Sequence, residues 1–233
     1  GGNSMSGELI FDILAKDNVT EQSRNRVEFR HRQALNDGLS KGWSYGLDYN
    51  RVSDDLFFRD LGKGLKITSR TQLQQQANVA YNSKLGKNGI VSFSTQVQQF
   101  QTVQGQNAAR IGSPYKKLPQ VLLRATQRDV LGMDLDLSTS YTEFAHKNEN
   151  KDPSKIGGKR YTFFPNVSVP MENSFGFIKP KFGVHHTGYM MNKSNDLIPK
   201  KNISRTLPIM SLDIGVTFDR ETKIFGKGFN QTI

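Results

Sequence analysis

The residues of this sequence whose types could carry chemistry are four histidines, an alternating pair of aspartates, a few Gly-Lys clusters and two runs of glutamine. His185 and His186 are adjacent, so on an extended chain they face opposite sides and share no metal. His31 and His146 stand alone. Asp134 and Asp136 would fall on one face of a strand, as a working carboxylate pair requires. Ser138 and Ser140 continue that face, however, and favour a hydrophilic wall. Gly62-Lys63-Gly64 and Gly157-Gly158-Lys159 lack the strand–loop–helix setting of a phosphate loop. Cysteine is absent, which removes thiol catalysis and thiolate metal sites from these 233 residues. The glutamines at 72–76 and 96–101 present carboxamides that suit either carbohydrate hydrogen bonding or a neutral lumen lining. The expectation is a protein that is no enzyme and takes no cofactor.

The elements that must position these groups are strands. From Pro208 to Phe218 every second residue is apolar: Pro208, Met210, Leu212, Ile214, Val216 and Phe218. Asp213, Gly215 and Thr217 fill the other side, a period of two that means one greasy face and one wet face. The same alternation recurs along the chain, for example Trp43, Tyr45, Leu47 and Tyr49 against Ser44, Gly46, Asp48 and Asn50. About eleven strands are expected, with almost nothing helical between them. Short turns are expected near 36–41, 86–89, 128–132 and 172–176. Longer loops are expected near 51–69, 102–117, 146–159 and 190–204. Short turns on one rim and long loops on the other is the layout of an outer-membrane barrel, although a soluble sandwich also alternates. Trp43, Tyr49, Tyr81, Tyr141, Tyr161 and Tyr189 fall near strand ends, where an interfacial girdle would lie. Pro119, Pro165, Pro170, Pro180 and Pro208 lie in or beside strands and mark edges or bulges, because proline cannot donate to a ladder.

Bulk properties agree with a barrel. Only 35% of residues are hydrophobic and mean hydropathy is -0.58, thin for a large soluble core but sufficient for a barrel with a polar interior. No run of 18 apolar residues is present, so no transmembrane helix is expected. Residues 1–6 read as a cloning remnant or linker, and 7–233 as the barrel portion. The net charge of +11 suits phosphate partners, yet its lysines gather mostly at turns, such as Lys116-Lys117 and Lys200-Lys201. The competing reading is a soluble basic β-sheet module that binds polyanions.

Specific phrases go further. Phe164-Pro165-Asn166-Val167-Ser168-Val169-Pro170, then Phe175-Gly176-Phe177-Ile178-Lys179-Pro180-Lys181, then His186-Thr187-Gly188-Tyr189 resemble the barrel of the LptD family of lipopolysaccharide-assembly proteins. The run from Arg205 through Pro208, Ser211 and Asp213 to Gly215, with Phe218-Asp219-Arg220, resembles that family's most recognisable barrel signature. Asp48-Tyr49-Asn50-Arg51-Val52-Ser53-Asp54, Gln98-Gln99-Phe100-Gln101 and Pro114-Tyr115-Lys116-Lys117-Leu118-Pro119-Gln120 agree in order. Ile13 and Ala15 depart from the family, which often shows Tyr and Pro there.

The resemblance implies an all-β fold, in which antiparallel up-and-down strands form part of a large outer-membrane β-barrel of a Gram-negative bacterium. It implies that lipopolysaccharide is the transported substrate and that the plug lipoprotein LptE sits in the lumen. A periplasmic Lpt bridge would connect through an N-terminal domain preceding this segment, and outer-membrane lipid would surround the wall. No nucleic acid partner is implied. Gln74, Gln76, Asp134, Asp136, Lys179 and Asp213 are the expected lumen-lining residues. The lateral gate, between the first and last strands of the parent barrel, is expected to lie outside this segment.

Overall fold

Alternating side chains along extended segments produce one large antiparallel sheet. The computed structural model describes residues 4–14, 23–55, 57, 71–104, 111–195, 199–217, 219–224 and 227–232. Its strands are β1 (Ser4–Leu14), β2 (Arg24–Leu35), β3 (Trp43–Val52), β4 (Gln72–Leu85), β5 (Gly89–Thr102), β6 (Lys116–Val130) and β7 (Met133–Ala145). They continue as β8 (Gly158–Ser168), β9 (Met171–Asn173), β10 (Gly176–Met191), β11 (Asn202–Val216), β12 (Asp219–Ile224) and β13 (Lys227–Thr232). The first eleven form one sheet in the order β1-β2-β3-β4-β5-β6-β7-β8-β10-β11, with the three-residue β9 beside β10, while β12 and β13 pair separately. The sheet is an up-and-down meander and is not closed. β1 starts at Ser4, which pairs with Ala34, so Ser4–Ser6, expected to precede the barrel, belong to the sheet.

Strict alternation of direction sends successive connections to opposite rims. The turns 36–42, 86–88, 131–132 and 169–175 lie on one rim. The strand ends joined by 53–71, 103–115, 146–157 and 192–201 lie at the other rim, as expected, although several of these connections are shorter than the sequence pattern suggested. Lys116 and Lys117 are the reason in one case: they extend β6 instead of ending a loop. Local chemistry fixes the turns. Gly42 has φ +88°, and a Cβ there would lie 2.3 Å from the carbonyl oxygen of Asn82, so only glycine fits between β2 and β3.

The prolines mark the irregularities. Beside Pro119 the β6–β7 register slips between Lys117 and Gln120, and the β5–β6 register slips between Gln96 and Gln98. The β8–β10 ladder pairs Asn166 with Gly183 and Phe163 with His186, and skips Phe164 and Pro165 between them. Pro170 falls between β8 and β9. Pro180 and Pro208 pair with Leu212 and Val184 across β10 and β11.

Among the described residues, the buried hydrophobic side chains are four: Val52, Phe57, Leu73 and Val103, clustered at the long-loop rim. Elsewhere large apolar side chains are exposed, with Met210 at 73% and Leu9 at 69%. A soluble sheet would cover such a face with a second layer.

Candidate functional site

Cross-strand partners in an antiparallel sheet share a face, so the register sorts every side chain. The row Gly46–Asn78–Gln96–Gln120–Thr142–Arg160–Tyr189 follows from successive pairings and lies on one face. Asp48, Gln76 and Gln98 lie beside it, and Asp136, Asn166, Lys181 and Ser211 share the same face further along the strands. The other face carries Tyr45–Val79–Thr95–Val121–Tyr141–Tyr161 and its neighbours.

Gln74, Gln76, Asp134, Asp136, Lys179 and Asp213 all lie on the polar face, which carries three groups of polar side chains, and the six fall in the first two. The first is a carboxamide ladder across β4, β5 and β6. Gln76 Nε2 donates to Gln96 Oε1 (3.3 Å), Gln96 Nε2 to Gln120 Oε1 (2.7 Å) and Gln98 Nε2 to Gln76 Oε1 (3.0 Å), while Gln74 donates to Gln76. A carboxamide both donates and accepts, so identical residues satisfy one another and place no net charge on the wall.

The second group sits at the short-turn rim. Arg128 grips Asp136 with two nitrogens (3.2 and 3.0 Å) and reaches Asp134 at 3.4 Å, and Lys179 Nζ donates to Asp134 Oδ2 at 3.2 Å. Each aspartate is therefore paired with a cation, an arrangement that suits a structural ion-pair cluster. Asp213 stands directly across the β10–β11 ladder from Lys179.

The third group escaped the sequence reading. On β1–β3 the buried Arg26 pairs with Glu28 and, at 3.4 Å, with Asp12; Arg30 reaches Glu28 at 2.5 Å, Glu8 at 3.6 Å and Asp48 at 3.7 Å. Arg24 forks onto Asp54 through Nε (2.9 Å) and Nη2 (2.7 Å). The alternation of Arg26, Glu28 and Arg30 was the available signal, because a period of two places them on one face.

The opposite face bears the apolar residues expected there: Met210, Leu212, Ile214 and Val216 share it with Phe182, Pro180, Ile178 and Gly176. Phe218 lies outside the described residues. His185 and His186 point to opposite faces, His185 edge-on to Phe164 at 5.3 Å and His186 over Tyr161 at 5.7 Å. Five of the expected girdle aromatics lie on the apolar face, with the Trp43 and Tyr81 rings in tilted contact at 4.9 Å near the short-turn rim. Tyr189 does not join them: it pairs in register with Arg160 and Ile203 on the polar face.

The remaining family-phrase residues fall on β8, β10 and β11 or between them. Thr187 and Arg205 face each other across β10 and β11 on the polar side, Ser211 faces Lys181, and Gly215 lies under the Phe177 ring. A Cβ on Gly215 would come within 2.2 Å of that ring. Pro165, Pro170, Pro180 and Pro208 interrupt or border ladders, as described above.

A meander of long antiparallel strands with one exposed apolar face and one hydrogen-bonded polar face is a section of outer-membrane-type barrel wall. Residues 23–233 match the family model for LptD, described as LPS transport system D, and the chain belongs to that family. It is 44% identical to the LPS-assembly protein LptD of Nitrosomonas eutropha, an alignment that covers 100% of this chain and 31% of the relative. It is 44% identical to that of Nitrosospira multiformis, covering 100% of the chain and 24% of the relative, and 32% identical to that of Bordetella pertussis, covering 100% and 29%. The chain thus spans less than a third of the length of these relatives.

Proposed function

We propose that this chain is wall and lumen lining of an outer-membrane translocon that delivers lipopolysaccharide or lipooligosaccharide to the outer leaflet. The observation that carries the reading is the continuous polar face: a sugar-bearing substrate needs donors and acceptors along its route, and the ladder from Gln76 to Gln120 supplies both. The names of the relatives, LPS-assembly protein, support the same substrate class. The barrel portion includes β1 from Ser4 onward, with Gln74, Gln76, Asp134, Asp136, Lys179 and Asp213 toward the lumen and the exposed apolar face toward lipid. The long-loop rim is the extracellular one, following the common layout of such barrels. LptE occupies the lumen of the whole protein, and the periplasmic Lpt bridge joins it through the N-terminal domain. The lateral gate lies outside this segment. Depletion of the parent protein in cells tests the reading. Surface lipopolysaccharide should fall while its synthesis continues, and normal surface lipopolysaccharide after full depletion would overturn it.

A further inference from the structure

On the apolar face, one row across the sheet carries no aromatic side chain. Ala125 pairs with Leu137, Leu137 with Pro165, and Val184 with Pro208. The next rows on either side are bulkier, with Phe163 paired to His186 on one and Val167 to Phe182 to Met210 on the other. The result is an apolar trough of about 750 Å³ over β6–β11, floored where the β8–β10 ladder skips Pro165. At the long-loop rim these strands are joined by lysine-rich connections, and Lys159 on β8 pairs in register with Glu143 on β7. The sequence at 146–159 and 192–201 holds seven lysines, among them Lys147, Lys151, Lys155, Lys159 and Lys193, against the three acids Glu149, Asp152 and Asp196. Glu149 is held by Asn192, and Asp152 is held by Ser154.

The spacing joins the two features. Pro165 lies six residues from Lys159 along β8. At about 3.4 Å per residue and an inclination near 45°, this is about 14 Å of depth. Half of a hydrocarbon core of about 30 Å is about 15 Å. A lipid whose phosphates meet the lysines therefore ends its acyl chains in the trough.

We propose that the apolar face of β6–β11 and the lysine rim above it form a binding site for a phosphorylated, multi-chain glycolipid of the outer leaflet, separate from the lumen. The site rests on the outer-membrane reading and on the long-loop rim facing outward. Phosphates bind the lysines as point charges, and the trough accepts chain ends because its middle row carries no aromatic side chain. A headgroup with two phosphates can engage more of these lysines at once than a single-phosphate phospholipid can.

The test uses the full-length parent protein in phosphatidylcholine nanodiscs, with retained lipid read by native mass spectrometry. The probes are a bis-phosphorylated hexaacyl glucosamine disaccharide, its dephosphorylated form, and phosphatidylglycerol. The bis-phosphorylated probe should be retained in preference to both others. Lys147→Gln, Lys151→Gln, Lys155→Gln and Lys159→Gln together should reduce its retention by about tenfold or more, because each lysine near an anionic headgroup contributes. Ala125→Phe, which fills the trough, should reduce retention of the hexaacyl probe while leaving the loop lysines in place. Equal retention of phosphatidylglycerol, or retention unchanged in the lysine variant, would overturn the proposal. Heat-dependent gel mobility verifies that each variant is folded. This readout stands apart from the depletion experiment: retention in nanodiscs with normal surface lipopolysaccharide after depletion refutes the transport reading alone.

Discussion

An arginine scanned across β10 and β11 separates lipid-facing, lumen-facing and rim positions in one series. Val184 sits eight residues from the start of β10 and seven from its end, on the apolar face. At about 3.4 Å per residue and a tilt near 45°, it lies within a few Å of the bilayer midplane. Arginine on the lipid face there costs roughly 2–4 kcal/mol. His185, the next residue, occupies the same depth on the polar face beside Phe164, so His185→Arg should cost well under half of that. Ile214 shares the apolar face with Val184 but lies two residues from the end of β11 at Val216. That is about 5 Å of depth from the rim, where the penalty falls to about 0–1 kcal/mol. The assay is urea-dependent folding of the parent barrel into lipid vesicles, scored by heat-dependent gel mobility. Val184→Arg should shift the midpoint most, with Ile214→Arg and His185→Arg close to the parent. A larger shift for His185→Arg than for Val184→Arg would reverse the faces, and equal shifts for Val184 and Ile214 would refute the depth assignment.

Three further outcomes follow from local geometry. Gln101 spans β4 to donate to the Val52 carbonyl (2.8 Å) and accept from its N–H (3.0 Å), so Gln101→Ala should cost about 1–3 kcal/mol and speed hydrogen exchange at Val52; unchanged exchange there would sink the idea. Leu131 is exposed with φ +55°, so Leu131→Gly should raise the folding midpoint by about 1 kcal/mol through relief of left-handed backbone strain, and a lowered midpoint would contradict it. The Ser154 hydroxyl (2.7 Å) and N–H (2.9 Å) both donate to Asp152, which holds this carboxyl below its ordinary value of 3.8. That stabilisation is present above the unfolded value and disappears as pH falls through the lowered folded value. Protection of the Ser154 amide should therefore fade in that acidic window in the parent but show no such step in Asp152→Ala; matching pH profiles would argue against the turn.

Much of this architecture was legible because a strand's side chains alternate without regard to their partners. The period of two along 208–217 assigns Met210, Leu212 and Ile214 to one face and Asp213 to the other before any neighbour is known. Glycine and asparagine at 36–42 and 86–89 likewise mark turns from local conformational freedom alone. What depends on register was not legible. Tyr189 reads as a girdle residue by its place near a strand end, yet pairing with Arg160 turns it to the polar face. Lys116 and Lys117 read as loop cations, yet Lys117 pairs with Gln98 and Phe144 inside the sheet. The prolines announced irregular ladders without saying which: Pro119 accompanies a slipped register, and Pro165 a skipped pair. The Gln101–Val52 contact joins residues 49 apart, a separation that no local pattern encodes.

The glutamine ladder bears on how quickly something moves past it. Each carboxamide from Gln74 to Gln120 is already engaged with its neighbour, and a passing hydroxyl can replace that neighbour with a bond of similar strength. Exchanges of this kind are close to isoenergetic, so the potential along this part of the wall is shallow and sliding friction is low. The Arg26–Glu28–Arg30 cluster is the contrast: its charges are tied to one another, and a phosphate must break a charge-assisted bond to dwell there. On the proposed reading, a sugar chain would thus drift over β4–β6 faster than any comparable patch of free lysine or arginine would release it, and such a wall would favour throughput over retention.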